Sequence, residues 1–379
     1  MIVWGLPCES RTLPGFNTHP VEAALRGFLL SVGAMANCET AGMDVYNSDM
    51  NPKQALVKET LLRILADGKF YSGEELGQML GISRSAVWKH IQSLLAYQLD
   101  IHAVPGKGYR LAAPIELLDR DEILQYMQPL GRVSEIDVLF VTDSTNRYLL
   151  DKSKQITDTH FVCLAEYQKS GRGRRGRQWI SPLGANLYGS ILWRSSMPLH
   201  ALSCIGLVVG VALSKALSSL GLKGHQLKWP NDLYWQDKKM GGILVETLGE
   251  LSGPSLMVIG VGLNVNMSDS ANLGIDQPWV DLNTALGRPI SRNKLVALFL
   301  HELFVSLDMY EEHGFDAFIE QWREFDLLKG KKIRILIGEE SVIGMAVGVD
   351  ASGALLVKHN NTGKTKRYFS GEVSVRYDV

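Results

Sequence analysis

Hydrophobic positions recur at helical spacing in the first folded stretch of this chain, run as apolar β-type segments through its middle, and return as short alternating runs at its end. In "NPKQALVKETLLRILADGKF" Leu56, Leu61, Leu62 and Leu65 mark one face of a helix. The next segment, "YSGEELGQMLGISRSAVWKHIQSLLAYQLDIHAVPGKGYRL", predicts two more. Ser72 is placed to cap a helix carrying Leu76, Met79 and Leu80 on one face. Gly81 allows a left-handed turn, and Ser83 caps a helix carrying Val87, Ile91 and Leu94. "DIHAVPGKGYRL" then reads as strand, tight turn at Pro105 to Gly108, and strand. Two capped helices with a glycine turn and a following hairpin predict a winged helix-turn-helix over residues 50–113. A helical protein-interaction module is the alternative; the wing favours DNA. The polar face of the second helix offers Arg84, Ser85, Trp88, Lys89 and Gln92, which with Ser83 and Lys107 of the wing are the candidate DNA contacts.

"APIELLDRDEILQYM" supplies a linker and a short helix. Apolar strands follow at "IDVLFV", "FVCLAEY", "NLYGSILW", "LYWQ", "GGILVETL" and "SLMVIGVGLNVN". A helix from about Ser203 to Leu220, charged only at Lys215, carries Leu207, Val208, Val211, Ala212 and Leu217 and is expected to lie buried against the sheet. A helical pair, "SRNKLVALFLHELFVSLDMYEEH" and "FDAFIEQWREF", completes a central domain over 114–327. After Leu328 five short strands separated by Gly, Asp and Asn turns predict a small β-barrel over 328–379. The fold class is α+β, with a mixed central sheet.

Charge sharpens this division. The 379 residues carry 39 Lys plus Arg and 40 Asp plus Glu, which argues against a protein that coats nucleic acid or membrane over its whole surface. Between Asn51 and Ala113, however, eight Lys/Arg stand against five Asp/Glu, suiting phosphate contact. Residues 1–49 contain no lysine and little periodicity, and are expected to be a poorly ordered extension left by an over-long choice of start codon. The stretch "ALRGFLLSVGAMANC" loosely resembles the apolar part of a signal peptide, but it starts too deep and has Arg26 at its edge. No uncharged apolar run reaches the roughly 20 residues of a membrane span. Cys8, Cys38, Cys163 and Cys204 lack any metal-binding or disulfide spacing, so free thiols, no protein metal site and a cytoplasmic location are expected.

The densest chemistry is "SGRGRRGRQW", Ser170 to Trp179, with four arginines and three glycines. Gly171, Gly173 and Gly176 satisfy a dinucleotide fingerprint, yet that motif requires a helix directly after it, and "RQWISPLGANLYGS" is poor helix-starting text. P-loop spacing is also present, but Arg177 and Gln178 replace the required Lys and Ser/Thr. What remains is a glycine-loosened loop whose arginines reach phosphate or carboxylate, expected to be mobile until an anion orders it. A solvated basic loop is the bland alternative. "VTDSTN" places Ser144, Thr145 and Asn146 at a strand end, where turn chemistry explains them as well as ligand binding does. "KWPNDLYWQDKKMGGI" sets Lys228, Asn231, Asp232, Lys238 and Lys239 around a proline turn, and "GVGLNVN" ends a buried strand in Asn264 and Asn266.

Together "DSTN", "EYQKSGRGRRGRQW", "SPLGANLYGS", "KWPNDLY", "KKMGGILVE" and "GVGLNVN" resemble, in order and spacing, the biotin protein ligase family, and the winged helix resembles that of its bifunctional bacterial members. The resemblance covers Met50 to Val379. It implies a class II synthetase-like central domain and an SH3-like C-terminal barrel. It further implies activation of biotin by ATP with Mg²⁺ to biotinyl-5'-AMP, then transfer to a lysine of the biotin carboxyl carrier protein of acetyl-CoA carboxylase. By resemblance Lys239 bridges biotin carboxylate and phosphate, and Arg172, Gly173 and Arg174 clamp the adenylate. Ser144, Thr145, Asn146 and Gln168 bind the ureido end of biotin. Lys228, Asn231 and Asp232 place the nucleotide and its Mg²⁺, with Arg177 and Asn264 beside it, Trp279 on the adenine, and Glu372 and Arg376 facing the site from the barrel. The adenylate-bound form is expected to pair as a homodimer and bind operator DNA. A ligase with a vestigial winged helix, and a lipoate or octanoyl ligase, are the rival readings.

Overall fold

A computed structural model describes residues 52–128, 135–155, 160–248, 255–267, 274–338, 340–371 and 373–377. The expected extension at 1–49 lies outside these residues.

Three helices and a hairpin come first: α1 (Pro52–Leu65), α2 (Gly73–Leu80), α3 (Arg84–Leu95), β1 (Ile101–Val104) and β2 (Gly108–Leu111). The local signals act as read. Ser72 accepts from Glu75 N while the Glu75 side chain accepts from Ser72 N, a complete capping box. Gly81 closes α2 at φ 65°, and Ser83 caps α3 through Ala86 N. Leu61, Leu62, Leu65, Leu76, Val87, Ile91 and Leu94 form the core of this unit, which extends to Leu117 and Leu183. Met79 departs from the expectation: it is 42% exposed. The short α2 buries Gly73, Leu76 and Gly77 instead, because the backbone of the turn presses on Gly77, where a Cβ would lie 2.8 Å from Ile82 O.

After α4 (Arg120–Met127) comes a seven-stranded sheet, ordered β3-β4-β5-β9-β8-β7-β6. Its strands are β3 (Glu135–Thr142), β4 (His160–Gln168), β5 (Leu187–Ser195), β6 (His225–Lys228), β7 (Asp232–Trp235), β8 (Lys238–Leu248) and β9 (Ser255–Leu263). Only β3 and β4 run parallel, joined through α5 (Thr145–Lys152). Strand β6, four residues of mixed polarity, is the near side of the proline turn that the sequence sets between two strands. One face of the sheet carries Leu187, Ile191, Trp193, Ile259, Val261 and Ile243, covered by α6 (Ile205–Ser219) and α8 (Arg292–His313). α6 is buried almost throughout. Among the described residues, 199–219 is the stretch long and apolar enough to cross a membrane, and most of it is inside the core. α7 (Leu282–Leu286) and α9 (Ile319–Phe325) complete the helices. The opposite face of the sheet bears Ser190, Gly260, Gly262, Gly242, Leu244 and Glu246, brought level by register: Ser190 pairs with Gly260, and Gly260 with Leu244.

The C-terminal unit is a five-stranded antiparallel sheet, ordered β13-β12-β11-β10-β14. It is built from β10 (Lys332–Ile337), β11 (Glu340–Val349), β12 (Leu355–His359), β13 (Thr365–Tyr368) and β14 (Ser374–Tyr377). Its inner residues Ile333, Ile335, Ala346, Val357 and Val375 join the main core.

Candidate functional site

The glycine-bearing face of the central sheet holds a cavity at the C-terminal ends of β3 and β4. At one end α5 begins. Ser144 occupies its N-cap position but makes no side-chain bond to the helix, unlike Ser72, Ser83, Asp119, Asp281 and Ser291 at theirs. Its buried hydroxyl is therefore not spent on capping, which favours the ligand reading of "DSTN" over the turn reading. Thr145 donates through N (3.0 Å) and Oγ1 (3.2 Å) to Gln168 Oε1, and Gln168 Nε2 donates to Ser181 Oγ at 3.1 Å. Asn146 is more fully committed. Its Nδ2 donates to Glu246 Oε2 (2.7 Å) and Leu244 O (3.3 Å), and its Oδ1 accepts from Ser190 Oγ at 2.6 Å. The amide is thus a strut that shapes the cavity wall. It fits only because residue 260 is glycine, whose Cβ would fall 2.2 Å from Asn146 Oδ1.

The arginine loop crosses the cavity. It forms no helix beyond one 3₁₀ turn at 174–176, with Arg175 at φ 58° and Gly176 at φ 71°. Gly173 N donates to Arg177 O at 2.7 Å, closing the turn. Arg172 Nη2 lies 3.2 Å from Glu246 Oε2. Arg174 donates through Nη1 to Asn231 Oδ1 at 3.0 Å and through Nη2 to Ser370 O in the C-terminal unit. Burial lowers the Arg174 pKa from its ordinary value, with Asp232 opposing. Trp179, at the end of the loop, lays its ring on the sheet, where a Cβ at Gly262 would come within 2.6 Å of it.

The "KWPND" turn, with a cis Trp229–Pro230 peptide, joins β6 to β7 and supplies the cationic end. Lys239 Nζ is 2.8 Å from Asp232 Oδ1 and 5.7 Å from the Trp179 ring centroid. Lys228, buried between the rings of Tyr234 and Tyr377, has its pKa pushed down to about 8. Burial is the main cause; Asp232 opposes it, and Arg376, Lys239 and Arg177 add to it. An anion entering here meets charges already fixed in place. A neutral hydrogen-bonding end and a cationic end in one cavity suit a molecule with an uncharged polar head and a carboxylate, held beside phosphate.

Of the expected site residues, Ser144, Thr145, Asn146, Gln168, Arg172, Gly173, Arg174, Arg177, Lys228, Asn231, Asp232, Lys239 and Arg376 line this cavity. Asn264 does not: it is buried behind the wall, donating through Nδ2 to Val280 O at 3.3 Å. Trp279 pairs with Lys239 through a backbone bridge and is half-buried beside the cavity rather than in its lining. Glu372 lies outside the described residues. Sequence reasoning missed Glu246, Ser190, Trp179 and the glycines at 260 and 262. The signals present were a lone carboxylate in "GGILVETL" and a lone hydroxyl in "NLYGSILW".

On the winged unit Ser83, Arg84, Ser85, Trp88, Lys89, Gln92 and Lys107 are all exposed. Ser83 is already engaged, capping Ala86 N and contacting Ser85 Oγ at 2.9 Å. β1 and β2 pair from Ile101↔Leu111 to Val104↔Gly108, forming the wing.

Residues 57–110 match a helix-turn-helix domain, 138–264 the biotin/lipoate A/B protein ligase family, and 330–376 the biotin protein ligase C-terminal domain. The bifunctional ligase/repressor BirA of Salmonella typhimurium (strain LT2) is 41% identical over 324 residues, covering 86% of this chain and 99% of that protein. The protein of the same name from Escherichia coli (strain K12) is 40% identical over 324 residues, covering 86% and 98%. Among solved structures, the biotin protein ligase from Aquifex aeolicus in complex with biotin and ATP matches with a TM-score of 0.56 at 28% identity, covering 65% of this chain and all of that one. Full-length agreement with these relatives, over a cavity that joins a neutral polar end to a cationic one, places the chain in the biotin protein ligase family, in the group that joins a ligase domain to a helix-turn-helix.

Proposed function

We propose that this protein is a biotin--[acetyl-CoA-carboxylase] ligase that also represses biotin synthesis genes. A biotin carboxylate oxygen attacks the α-phosphorus of ATP, expelling pyrophosphate and leaving biotinyl-5'-AMP. A lysine amine of the biotin carboxyl carrier protein then attacks the acyl carbon, expels AMP and gives up a proton as the amide forms. The observation that carries this reading is the cavity itself, with Lys239, Asp232, Lys228 and Arg174 at one end, the Thr145–Gln168–Ser181 chain at the other, and Arg172 held on Glu246 beside Asn146. In the first step two anions must meet, and Lys239 with Arg172 and Arg174 offsets their repulsion. Magnesium enters with ATP. In nucleotide sites it is typically held by one or two carboxylates plus phosphates, and Asp232, the one carboxylate lining the cavity among the described residues, fits that pattern; there the ion would neutralise phosphate charge.

In this reading Thr145 and Gln168 orient the biotin head, Trp179 carries its chain, and Trp279 stands at the nucleotide's side. The domain limits 50–113, 114–327 and 328–379 are kept, with the central unit read as class II synthetase-like and the last as an SH3-like barrel. Two adenylate-bound copies pair in the cytoplasm, and their winged helices bind a palindromic operator. The test is incubation with ATP, Mg²⁺, labelled biotin or lipoate, and a carrier domain. Biotin label on the carrier is expected, whereas label from lipoate alone overturns the reading. A footprint upstream of biotin-synthesis genes should strengthen when biotin and ATP are both present; no change leaves a ligase only.

A further inference from the structure

The recognition helix α3 carries an anomaly. Its buried face is Val87, Ile91 and Leu94. Its exposed face is Arg84, Ser85, Lys89 and Gln92 with Trp88 in the middle of them, and Leu95 at the C-terminal end of the helix. At 53% exposure Trp88 is the most exposed large hydrophobic side chain among the described residues. An indole left half in water forfeits a large part of the burial that makes tryptophan favourable. Nothing within the unit requires it there. The core beneath is closed by leucine, valine and isoleucine, and α3 is already capped by Ser83.

Resting on the repressor reading above, we infer that Trp88 reads a thymine in each operator half-site by packing its ring on the thymine C5-methyl group. Residues 84, 88 and 92 lie one helical turn apart, so Trp88 sits centrally on the face that enters the major groove, between side chains able to reach phosphates and base edges. In that groove thymine alone presents a methyl group, and apolar contact is how proteins recognise it. The indole N–H is only a donor, which excludes pairing with the amino groups of adenine and cytosine. Arg84 and Gln92 on either side have the donors and acceptors to read guanine and adenine. Trp88 is thus the apolar member of the polar cluster in the first turns of the helix, with Leu95 lying beyond Gln92 at its far end.

The experiment is selection of bound sequences from a random DNA pool by the full chain with biotin, ATP and Mg²⁺, for wild type, Trp88→Ala and Trp88→Phe. Each thymine of the selected site is then replaced in turn by deoxyuridine, which deletes only the methyl group. One buried methyl corresponds to roughly a fourfold change in affinity, and about fifteenfold when both half-sites are altered. Wild type and Trp88→Phe are expected to lose affinity by about this factor at one thymine position per half-site. Trp88→Ala should be indifferent to the same replacement and enrich sites without that thymine. Circular dichroism melting of each variant reports whether the helix still folds. If wild type enriches a site but no uracil replacement weakens binding, or if Trp88→Ala selects the same thymines, the inference is overturned. If no sequence is enriched, the repressor reading fails, and this inference with it.

Discussion

Gly260→Ala is a small change with a large expected effect. Gly260 lies inside β9, opposite Ser190 on one side and Leu244 on the other. A Cβ there would sit 2.2 Å from Asn146 Oδ1 and 2.9 Å from its Cγ. Ordinary contact between such atoms is about 3.5 Å, so the amide has to retreat by about 1 Å. It has nowhere to go: Asn146 is 3% exposed and bonded to Ser190, Leu244 O and Glu246. Overpacking of this kind costs about 1–3 kcal/mol, and a buried amide left short of a partner costs about 1–3 kcal/mol more. Even the lower ends sum to about 2 kcal/mol, or a melting temperature lower by roughly 4–8 °C for a domain of this size. Ser190 Oγ also lies 2.6 Å from Thr145 Oγ1, so the displacement reaches the groups proposed to hold biotin. A loss of about 2 kcal/mol there weakens biotin binding roughly 30-fold. Calorimetry of biotin binding without ATP, with a melting scan, reads both. Adding Asn146→Ala to Gly260→Ala removes the obstructing amide, and should recover melting temperature while biotin affinity stays low. A Gly260→Ala protein that binds biotin within about threefold of wild type and melts within about 1 °C of it refutes the reasoning.

Lys239→Met should lower adenylate formation by about 10²–10³ in pyrophosphate-exchange assays, the usual effect of deleting one fixed charge at a reacting centre. Lys228 gives a pH signature. Its pKa in the empty fold is lowered to about 8, against about 10.4 in an unfolded chain. Between those values the unfolded state holds the proton and the fold does not, so this group's contribution to stability improves as pH rises. Catalysis runs the other way: kcat/KM for ATP should fall above pH 8 as the cation is lost, and Lys228→Arg should lack that alkaline limb. Glu246→Gln releases Arg172 and weakens the hold on Asn146, so KM for biotin should rise by up to about fivefold with kcat little changed, since a partly exposed ion pair is worth at most about 1 kcal/mol. Arg292→Met leaves Glu166 charged and unpaired in a pair whose side chains are only 4% and 3% exposed. Unfolding titrations should show a loss of about 3–5 kcal/mol.

The winged helix was legible because its signals are local: caps three residues from the N–H groups that donate to them, a glycine at positive φ, a turn between two short strands. The cavity was legible only in its labels. Serine, threonine and asparagine in "DSTN" fit a turn or a ligand equally well until the structure shows Ser144 at a cap position without a capping bond. Glu246, Ser190 and Gly260 stand on three different strands, and only sheet register makes them one wall; periodicity along a single chain carries no register between strands far apart in sequence. "GVGLNVN" shows the same limit from the other side. Its asparagines carry the polar signal, yet its glycines make the site, one admitting the Asn146 amide and the next the Trp179 ring. The arginine loop is where composition said most and least. Four arginines announced an anion, but not that two of them are anchored separately, Arg172 on Glu246 of the central sheet and Arg174 on Asn231 and Ser370, bridging to the C-terminal unit. A ligand that takes the donors now in use must displace those partners. Affinity at this loop is therefore a difference between two sets of contacts, and weakening an anchor tightens or loosens binding according to whether the bound state keeps it.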